Sequence, residues 1–150
     1  MPGSKNPTIF GIGYEGLTLD QFVRRLSEHD VEAVVDVRLT PSSRRPGFSK
    51  KKLAEALDRA GISYVHERDL GNPPENRSHF RGDNPEPGRK VMKARLNNGS
   101  GPALKRLVDR AANEKTAVLC VERFQAQCHR QVILEMAVEL NRKLRVVDIW

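Results

Sequence analysis

The sequence predicts an α/β protein: a three-layer α/β sandwich, Rossmann-like, built around a mainly parallel five-stranded sheet. Two observations predict this fold class. Short apolar runs rich in β-branched residues alternate with segments of helical periodicity, and every connection between successive runs contains helical pattern. Strands joined through helices form right-handed βαβ units, which give parallel sheets. At 150 residues the chain suits one α/β domain, predicted over 1–150 with a flexible N-terminus at 1–7.

Five apolar runs are the candidate strands. Most of them are β-branched and apolar at nearly every position, as expected of strands that helices cover on both faces. The second run, Ala-Val-Val-Asp-Val, places the carboxylate of Asp36 inside such a strand, where a buried charge needs a partner. The predicted strands span residues 8–13, 33–37, 62–65, 117–121 and 144–149.

Helix signals lie between these runs. Thr18 and Gln21 have the spacing of a capping box, which predicts that a helix begins after Thr18. Ser49 is the expected N-cap of a second helix that ends at Gly61, and Pro102 suits the first turn of another. The inward-facing positions recur at helical spacing: Leu19, Phe22, Val23 and Leu26; Leu53, Ala56, Leu57 and Ala60; Leu104, Leu107, Val108 and Ala111; Val132, Ile133, Met136, Ala137 and Leu140.

The segment 70–100 breaks this pattern. Glycine and proline recur throughout it, and it contains many basic residues. We therefore predict a long basic loop over 70–100, with at most a short helix around Val91, Met92 and Leu96. A loop of this length inside a compact domain usually forms a lid or a binding element.

The composition excludes several classes of protein. Hydrophobic residues make up 38% and charged residues 30% of the chain, which rules out collagen, a coiled coil and a wholly disordered tail. No apolar run reaches the roughly 18 residues that span a bilayer. The N-terminus has no apolar signal segment, so we expect a cytoplasmic protein without a membrane partner. In that compartment Cys120 and Cys128 are expected to be reduced.

The basic charge is concentrated in the middle of the chain. The net charge is +7, and residues 38–95 hold 14 basic against 7 acidic residues, which accounts for all of it. Guanidinium groups bind phosphate through two parallel hydrogen bonds. The clustering therefore favours a nucleic acid or a phosphate-bearing small molecule as partner, although a basic surface can also serve solubility alone.

Polar side chains follow the predicted strands at their carboxyl ends, where open parallel sheets bind ligands. We expect the acids at these positions to act in catalysis: Glu15, Asp36 and Glu122. The expected anion-binding residues are Tyr14, Arg38, Arg44, Arg45 and Arg130. We expect a sulfate or phosphate between Arg38, Arg130 and a helix N-terminus, the alternative being that Arg130 pairs with Asp36 or Glu122.

Cys128 and His129 begin the helix after the fourth predicted strand. A thiol at a helix N-terminus beside cations is a candidate nucleophile, and a histidine beside it is a candidate base, so both join the catalytic set. The spacing does not match the Cys-x₅-Arg pattern of phosphatases. Zinc binding by Cys120, Cys128 and His129 is conceivable but lacks a Cys-x₂-Cys pair, so no metal and no cofactor are expected.

Several ordered motifs together resemble the domain-of-unknown-function family 488. They are Gly-Ile-Gly-Tyr-Glu-Gly at 11–16, Val-Asp-Val-Arg at 35–38, Ser-Arg-Arg-Pro-Gly-Phe-Ser at 43–49, Leu-Gly-Asn at 70–72, Cys120 with Glu122, and Cys-His-Arg at 128–130. The resemblance runs from Thr8 to Ile149. It implies a shared polar site and no particular reaction. The spacer Phe-Gln-Ala-Gln at 124–127 is less charged than the family pattern leads one to expect.

Three functions follow as hypotheses. The first is an enzyme that acts on a phosphate-bearing substrate, nucleic acid or nucleotide, by acid–base hydrolysis. The second is a non-catalytic nucleic-acid-binding module that grips phosphates through residues 38–95. The third is a cysteine-dependent phosphoryl or thiol enzyme in which Cys128 attacks.

Overall fold

A computed structural model describes residues 6–81, 84–124 and 128–149. Its centre is a five-stranded sheet in which all strand pairs are parallel, in the order β3-β2-β4-β1-β5. The fold class predicted from the sequence, α/β with a parallel sheet, is confirmed. The strands are β1 Thr8–Gly13, β2 Ala33–Asp36, β3 Ser63–His66, β4 Thr116–Cys120 and β5 Arg145–Ile149.

The described residues form six α-helices and one short 3₁₀ turn at Arg68–Leu70. Thr18 and Gln21 form the predicted capping box, and Gly61 follows the second helix with a φ of 77°. No helix among the described residues is long and apolar enough to cross a membrane. The helices are α1 Leu19–Glu28, α2 Lys50–Arg59, α3 Pro74–Arg81, α4 Glu86–Leu96, α5 Gly101–Asn113 and α6 Arg130–Leu140.

Two cores, one on each face of the sheet, make the three layers. Phe22 of α1 and Leu53 of α2 join the core that contains Phe10 and Val34 of the sheet. The opposite core contains Ile9 and takes side chains from α4, α5 and α6. Adjacent strand residues point to opposite faces, so Ile9 and Phe10 belong to different cores.

The order of the strands differs from that of the doubly wound nucleotide-binding sheet. In that sheet β1 lies next to β2, whereas here β4 lies between β1 and β2. The chain leaves β2 for α2 on one face and leaves β4 for α6 on the other face. Connections that diverge from two adjacent strands leave a crevice at their carboxyl ends, which is where ligands bind in such sheets.

The prediction of a long loop over 70–100 is wrong, because α3 and α4 occupy most of it. Pro74 is the first residue of α3 and Pro87 lies in the first turn of α4, where a missing N–H breaks no helical hydrogen bond. Gly88 is buried, and a Cβ there would lie 2.9 Å from the Phe80 ring. The glycine therefore permits close packing of α3 against α4. Residues 82 and 83 of this segment, like residues 1–5 of the predicted N-terminal tail, lie outside the described residues.

Candidate functional site

A cavity of about 140 Å³ lies at the carboxyl ends of β2 and β4. We call it the strand-end cavity. Three groups of residues line it: Arg38, Leu39, Thr40 and Ser42 after β2; Cys120, Val121 and Glu122 at the end of β4; and Asn72, Arg77, Phe80, Cys128 and His129 from or just before α3 and α6. The crevice that the divergent connections predict is therefore present, and its walls combine thiol, imidazole, carboxylate and guanidinium groups.

The sulfurs of Cys120 and Cys128 lie within bonding distance of each other in this cavity, so the two cysteines can form a disulfide. The expectation that both are reduced in a cytoplasmic protein stays a prediction. Cys120 is the last residue of β4 and Cys128 stands just before α6, so the strand end and the helix start bring the two sulfurs together. Both side chains are almost fully buried, yet both line the cavity.

His129 is oriented towards Cys128 by a backbone carbonyl. Its Nε2 lies 3.0 Å from the carbonyl oxygen of Val37, which accepts a hydrogen bond, so Nε2 carries the ring proton. Nδ1 then offers a lone pair 3.6 Å from Sγ of Cys128. Burial lowers the pKa of His129 to about 4, and the charges of Arg130 and Arg77 act in the same direction. The imidazole is therefore neutral at pH 7.

Arg130 supplies N–H groups to both sulfurs. Its backbone N lies 3.5 Å from Sγ of Cys128, and its Nη1 lies 3.2 Å from Sγ of Cys120. A helix N-terminus and a guanidinium both stabilise a neighbouring thiolate. After reduction, each sulfur would thus face a donor that favours its anionic form.

The side chains of Cys120, Cys128 and His129 are close enough together to bind one metal ion. The ligand atoms of Cys120, Cys128 and His129 all lie within 4.8 Å of one another, and all three residues are buried. A metal-bound histidine commonly donates its second ring N–H to a carbonyl, as His129 does to Val37. The reduced cysteines with His129 could hold a thiophilic ion such as Zn²⁺, whereas the disulfide form could not.

Asp36 and Arg38 form a buried network beside the cavity. Nη2 of Arg38 lies 2.7 Å from Oδ2 of Asp36, and Nε of Arg38 donates to the same carboxylate. Nη1 of Arg38 donates to the carbonyl oxygen of Phe48, and the Tyr64 hydroxyl donates to Asp36 at 2.5 Å. Burial and the bond to Asp36 both raise the pKa of Tyr64. Asp36 thus organises an arginine and lies outside the cavity lining.

The guanidinium nitrogens of Arg38 already donate to protein acceptors. The anion expected there therefore has no pair of parallel N–H donors available to it. Although burial by itself lowers the pKa of Arg38, Asp36 raises it overall, so the side chain stays charged. Tyr14 is buried, stacked on Phe48 at 4.4 Å, with the Arg38 guanidinium over its ring. Its phenol ring packs in the core, and the geometry gives no support to its expected role with an anion.

Arg130 is fully buried, and both of its Nη groups donate to backbone carbonyls. Nη1 donates to the carbonyl oxygen of Glu122 at 2.5 Å, and Nη2 donates to that of Arg123 at 3.1 Å. Burial lowers the pKa of Arg130 to about 10, against the attraction of Asp148 and Glu122. The side chain therefore anchors the segment after β4, in place of the anion contact with Arg38 that we expected.

Three further predicted residues lie elsewhere. Glu15 is exposed and accepts a hydrogen bond from the backbone N of Arg123, next to a separate pocket of about 140 Å³. Arg44 is exposed and Arg45 donates to the carbonyl oxygen of Leu17; neither lines the strand-end cavity. Of the predicted acids, bases and nucleophiles, this cavity collects Glu122, Cys128 and His129.

Asn72 and Arg77 line the cavity although we did not predict them as site residues. We predicted a loop over 70–100, and only the helix α3 brings Arg77 to the edge of the sheet. The sequence therefore offered no reason to expect Arg77 at the site. Gly71 carried the available signal: a Cβ there would lie 2.6 Å from Cα of Leu39. This close backbone approach places Asn72 beside the end of β2.

The chain was compared with protein families, curated proteins and solved structures. The model of the family described as "Domain of unknown function DUF488" matches residues 18–137, well over half of the chain. No curated protein and no solved structure matches. The matched span contains β2, β4 and every residue of the strand-end cavity. The chain therefore belongs to the DUF488 family.

Proposed function

We propose that this protein is a cysteine-dependent thiol enzyme that performs thiol–disulfide exchange in the strand-end cavity. Cys128 is the attacking thiolate and Cys120 is the second thiol. One observation carries the proposal: the sulfurs of Cys120 and Cys128 lie within bonding distance of each other in a cavity at the strand ends, where His129 contacts Cys128.

The reaction needs two steps. The Cys128 thiolate attacks one sulfur of a substrate disulfide, forming a mixed disulfide and releasing the other half as a thiolate. Cys120 then attacks Sγ of Cys128, which releases the second half as a thiolate and leaves the Cys120–Cys128 disulfide. An external thiol reductant returns both cysteines to the reduced form. The substrate gains two electrons and the protein gives up two.

The surroundings of the two sulfurs support these assignments. Cys128 has the backbone N–H of Arg130 to stabilise the thiolate, and the neutral ring of His129 contacts its Sγ. Cys120 has Nη1 of Arg130 on one side and Oε2 of Glu122 at 3.4 Å, within hydrogen-bond distance of the reduced thiol. Acid–base hydrolysis by Glu15, Asp36 and Glu122 has less support, because only Glu122 lines this cavity.

The test uses bis(2-hydroxyethyl) disulfide as substrate and dithiothreitol as reductant. We expect turnover by the wild type and none by Cys128→Ser. Without dithiothreitol, Cys120→Ser should accumulate a mixed disulfide on Cys128, visible as the added mass of one hydroxyethylthiol group. Circular dichroism checks that each variant is folded. Equal reactivity of Cys128 in the folded and the denatured protein would contradict the proposal.

Nucleic-acid binding is a second candidate with its own observation. The side chains of Arg44 and of lysines 50–52 are exposed along the segment that enters α2, and the first turn of α2 has no acidic residue. Such a surface would neutralise phosphates. A binding constant that falls steeply with salt, and is lost on charge reversal at 50–52, would support it. A cytoplasmic location also stays a prediction; that compartment would supply the thiol reductant.

A further inference from the structure

One wall of the strand-end cavity carries a cation that the chain does not neutralise. Arg77 lines the cavity from α3. Its side chain is exposed, and it forms no hydrogen bond or ion pair with the residues that the structure describes. Arg38 lines the same cavity, but Asp36 already neutralises it. Arg77 is therefore the guanidinium in this cavity that is available to a ligand.

A neutral donor stands beside this cation. Asn72 is 94% buried and lines the cavity. Its Oδ1 accepts from Nδ2 of Asn76 at 2.9 Å, and the same Nδ2 donates to the carbonyl oxygen of Gly88. Because this contact uses its oxygen, Asn72 keeps its NH₂ group for a ligand. Buried Asn76 holds the donor in place, so the orientation is built into the packing of α3 on α4.

The positive charge of Arg77 lies in the cavity that contains the proposed nucleophile. Arg77 lines the same cavity as Cys128 and His129, whose ring contacts the sulfur of Cys128. Glu122 is the acidic residue of the lining and stands at the β4 wall, beside Cys120. An anionic group on a substrate would therefore be attracted to Arg77 on α3 and repelled by the carboxylate of Glu122.

We infer that Arg77 is a specificity-determining residue that binds an oxyanion group, phosphate or carboxylate, on the substrate that Cys128 attacks, with Asn72 as the second donor. This inference rests on the proposed function, because it needs a reactive Cys128. A planar guanidinium and an amide NH₂ together match the oxygens of such a group.

The test compares two alkylating reagents of similar size. Iodoacetate carries a carboxylate and iodoacetamide is neutral, and both form a thioether with the thiolate and release iodide. The reduced full-length protein is treated with each, and peptide mass spectrometry follows modification of Cys128. The variant is Arg77→Gln. The matched control is Arg142→Gln, which removes the same charge from an exposed residue outside the cavity.

We expect the ratio of the iodoacetate rate to the iodoacetamide rate to fall about fivefold in Arg77→Gln, the size of effect that one unit charge has on a neighbouring charge in partly aqueous surroundings. Arg142→Gln should keep the wild-type ratio. An unchanged ratio in Arg77→Gln, or an equal fall in both variants, would overturn the inference while leaving the proposed function intact. If neither reagent modifies folded Cys128, the proposed function fails and the inference with it.

Protection experiments identify the oxyanion. Inorganic phosphate and acetate are each titrated against iodoacetamide modification of Cys128. Protection by either anion that is lost in Arg77→Gln and kept in Arg142→Gln supports the inference. The anion that protects more strongly identifies the group as phosphate or carboxylate. Protection that both variants retain would overturn the assignment of the anion to Arg77.

Discussion

Asp36 and Arg38, two residues apart, form a buried ion pair with 2.7 Å between Oδ2 and Nη2. The pair stands between the end of β2 and the core, and it explains why a charged residue interrupts an apolar strand. A buried arginine deprived of its carboxylate is expensive, because no water replaces the lost partner.

Asp36→Asn should therefore destabilise the protein by about 3–5 kcal/mol, the usual effect of removing one member of a buried pair. Urea denaturation measures the free energy of unfolding. The control is Asp58→Asn on the exposed side of α2, which should change it by no more than about 0.5 kcal/mol. Similar effects of the two substitutions would show that the Asp36–Arg38 pair does not support the fold.

His129 should make the stability depend on pH. Its pKa is about 4 in the folded protein and near 6.5 in the unfolded chain, so the unfolded chain binds the proton more tightly. Stability is complete above pH 6.5 and is lost as the pH falls from about 6.5 to about 4, by about 3 kcal/mol in all.

Urea denaturation at a series of pH values checks this expectation. His129→Gln should lack this part of the pH dependence, and His29→Gln, at an exposed histidine, should keep it. Parallel curves for wild type and His129→Gln would contradict the prediction.

Arg130→Lys tests whether the guanidinium is scaffold or ligand. A lysine keeps the charge but cannot serve the carbonyl groups of Glu122 and Arg123 together, and each buried acceptor left unpaired costs about 1–3 kcal/mol. We expect a clearly lower melting temperature than for Arg142→Lys, an exposed control. A variant with wild-type stability that loses thermal protection by phosphate would instead make Arg130 an anion-binding residue.

Gly13 should not tolerate a side chain. A Cβ at this position would lie 1.8 Å from the carbonyl oxygen of Glu122, so the ends of β1 and β4 would have to move apart. Gly13→Ala should destabilise the protein by about 1–3 kcal/mol or more. Gly99→Ala is the control, because its Cβ meets nothing within 4 Å. Equal melting temperatures for the two variants would refute the close approach.

Local patterns in the sequence were enough to predict the layers. The capping box at Thr18 and Gln21 and the apolar periodicity of α1 depend on neighbours within one or two helical turns, which the sequence displays directly. The helical connections between successive strands predicted a parallel sheet. Polar residues were expected at one edge of it because open parallel sheets bind ligands at the carboxyl ends of their strands. Glycine and proline misled the prediction over 70–100, because only the contact of Gly88 with Phe80 shows why they suit a helix pair.

The sequence by itself determined which elements form and which polar residues gather at one edge of the sheet. The tertiary structure alone decided which of those residues are free to act. Arg38 and Arg130 look like anion binders in the sequence, but Arg38 is paired with Asp36, and both Nη groups of Arg130 donate to backbone carbonyls. Arg77 looked unremarkable and is the one that faces the cavity without a partner among the described residues. The physical reason is that the function of a guanidinium depends on which acceptors lie within about 3 Å, and residues distant in sequence supply them.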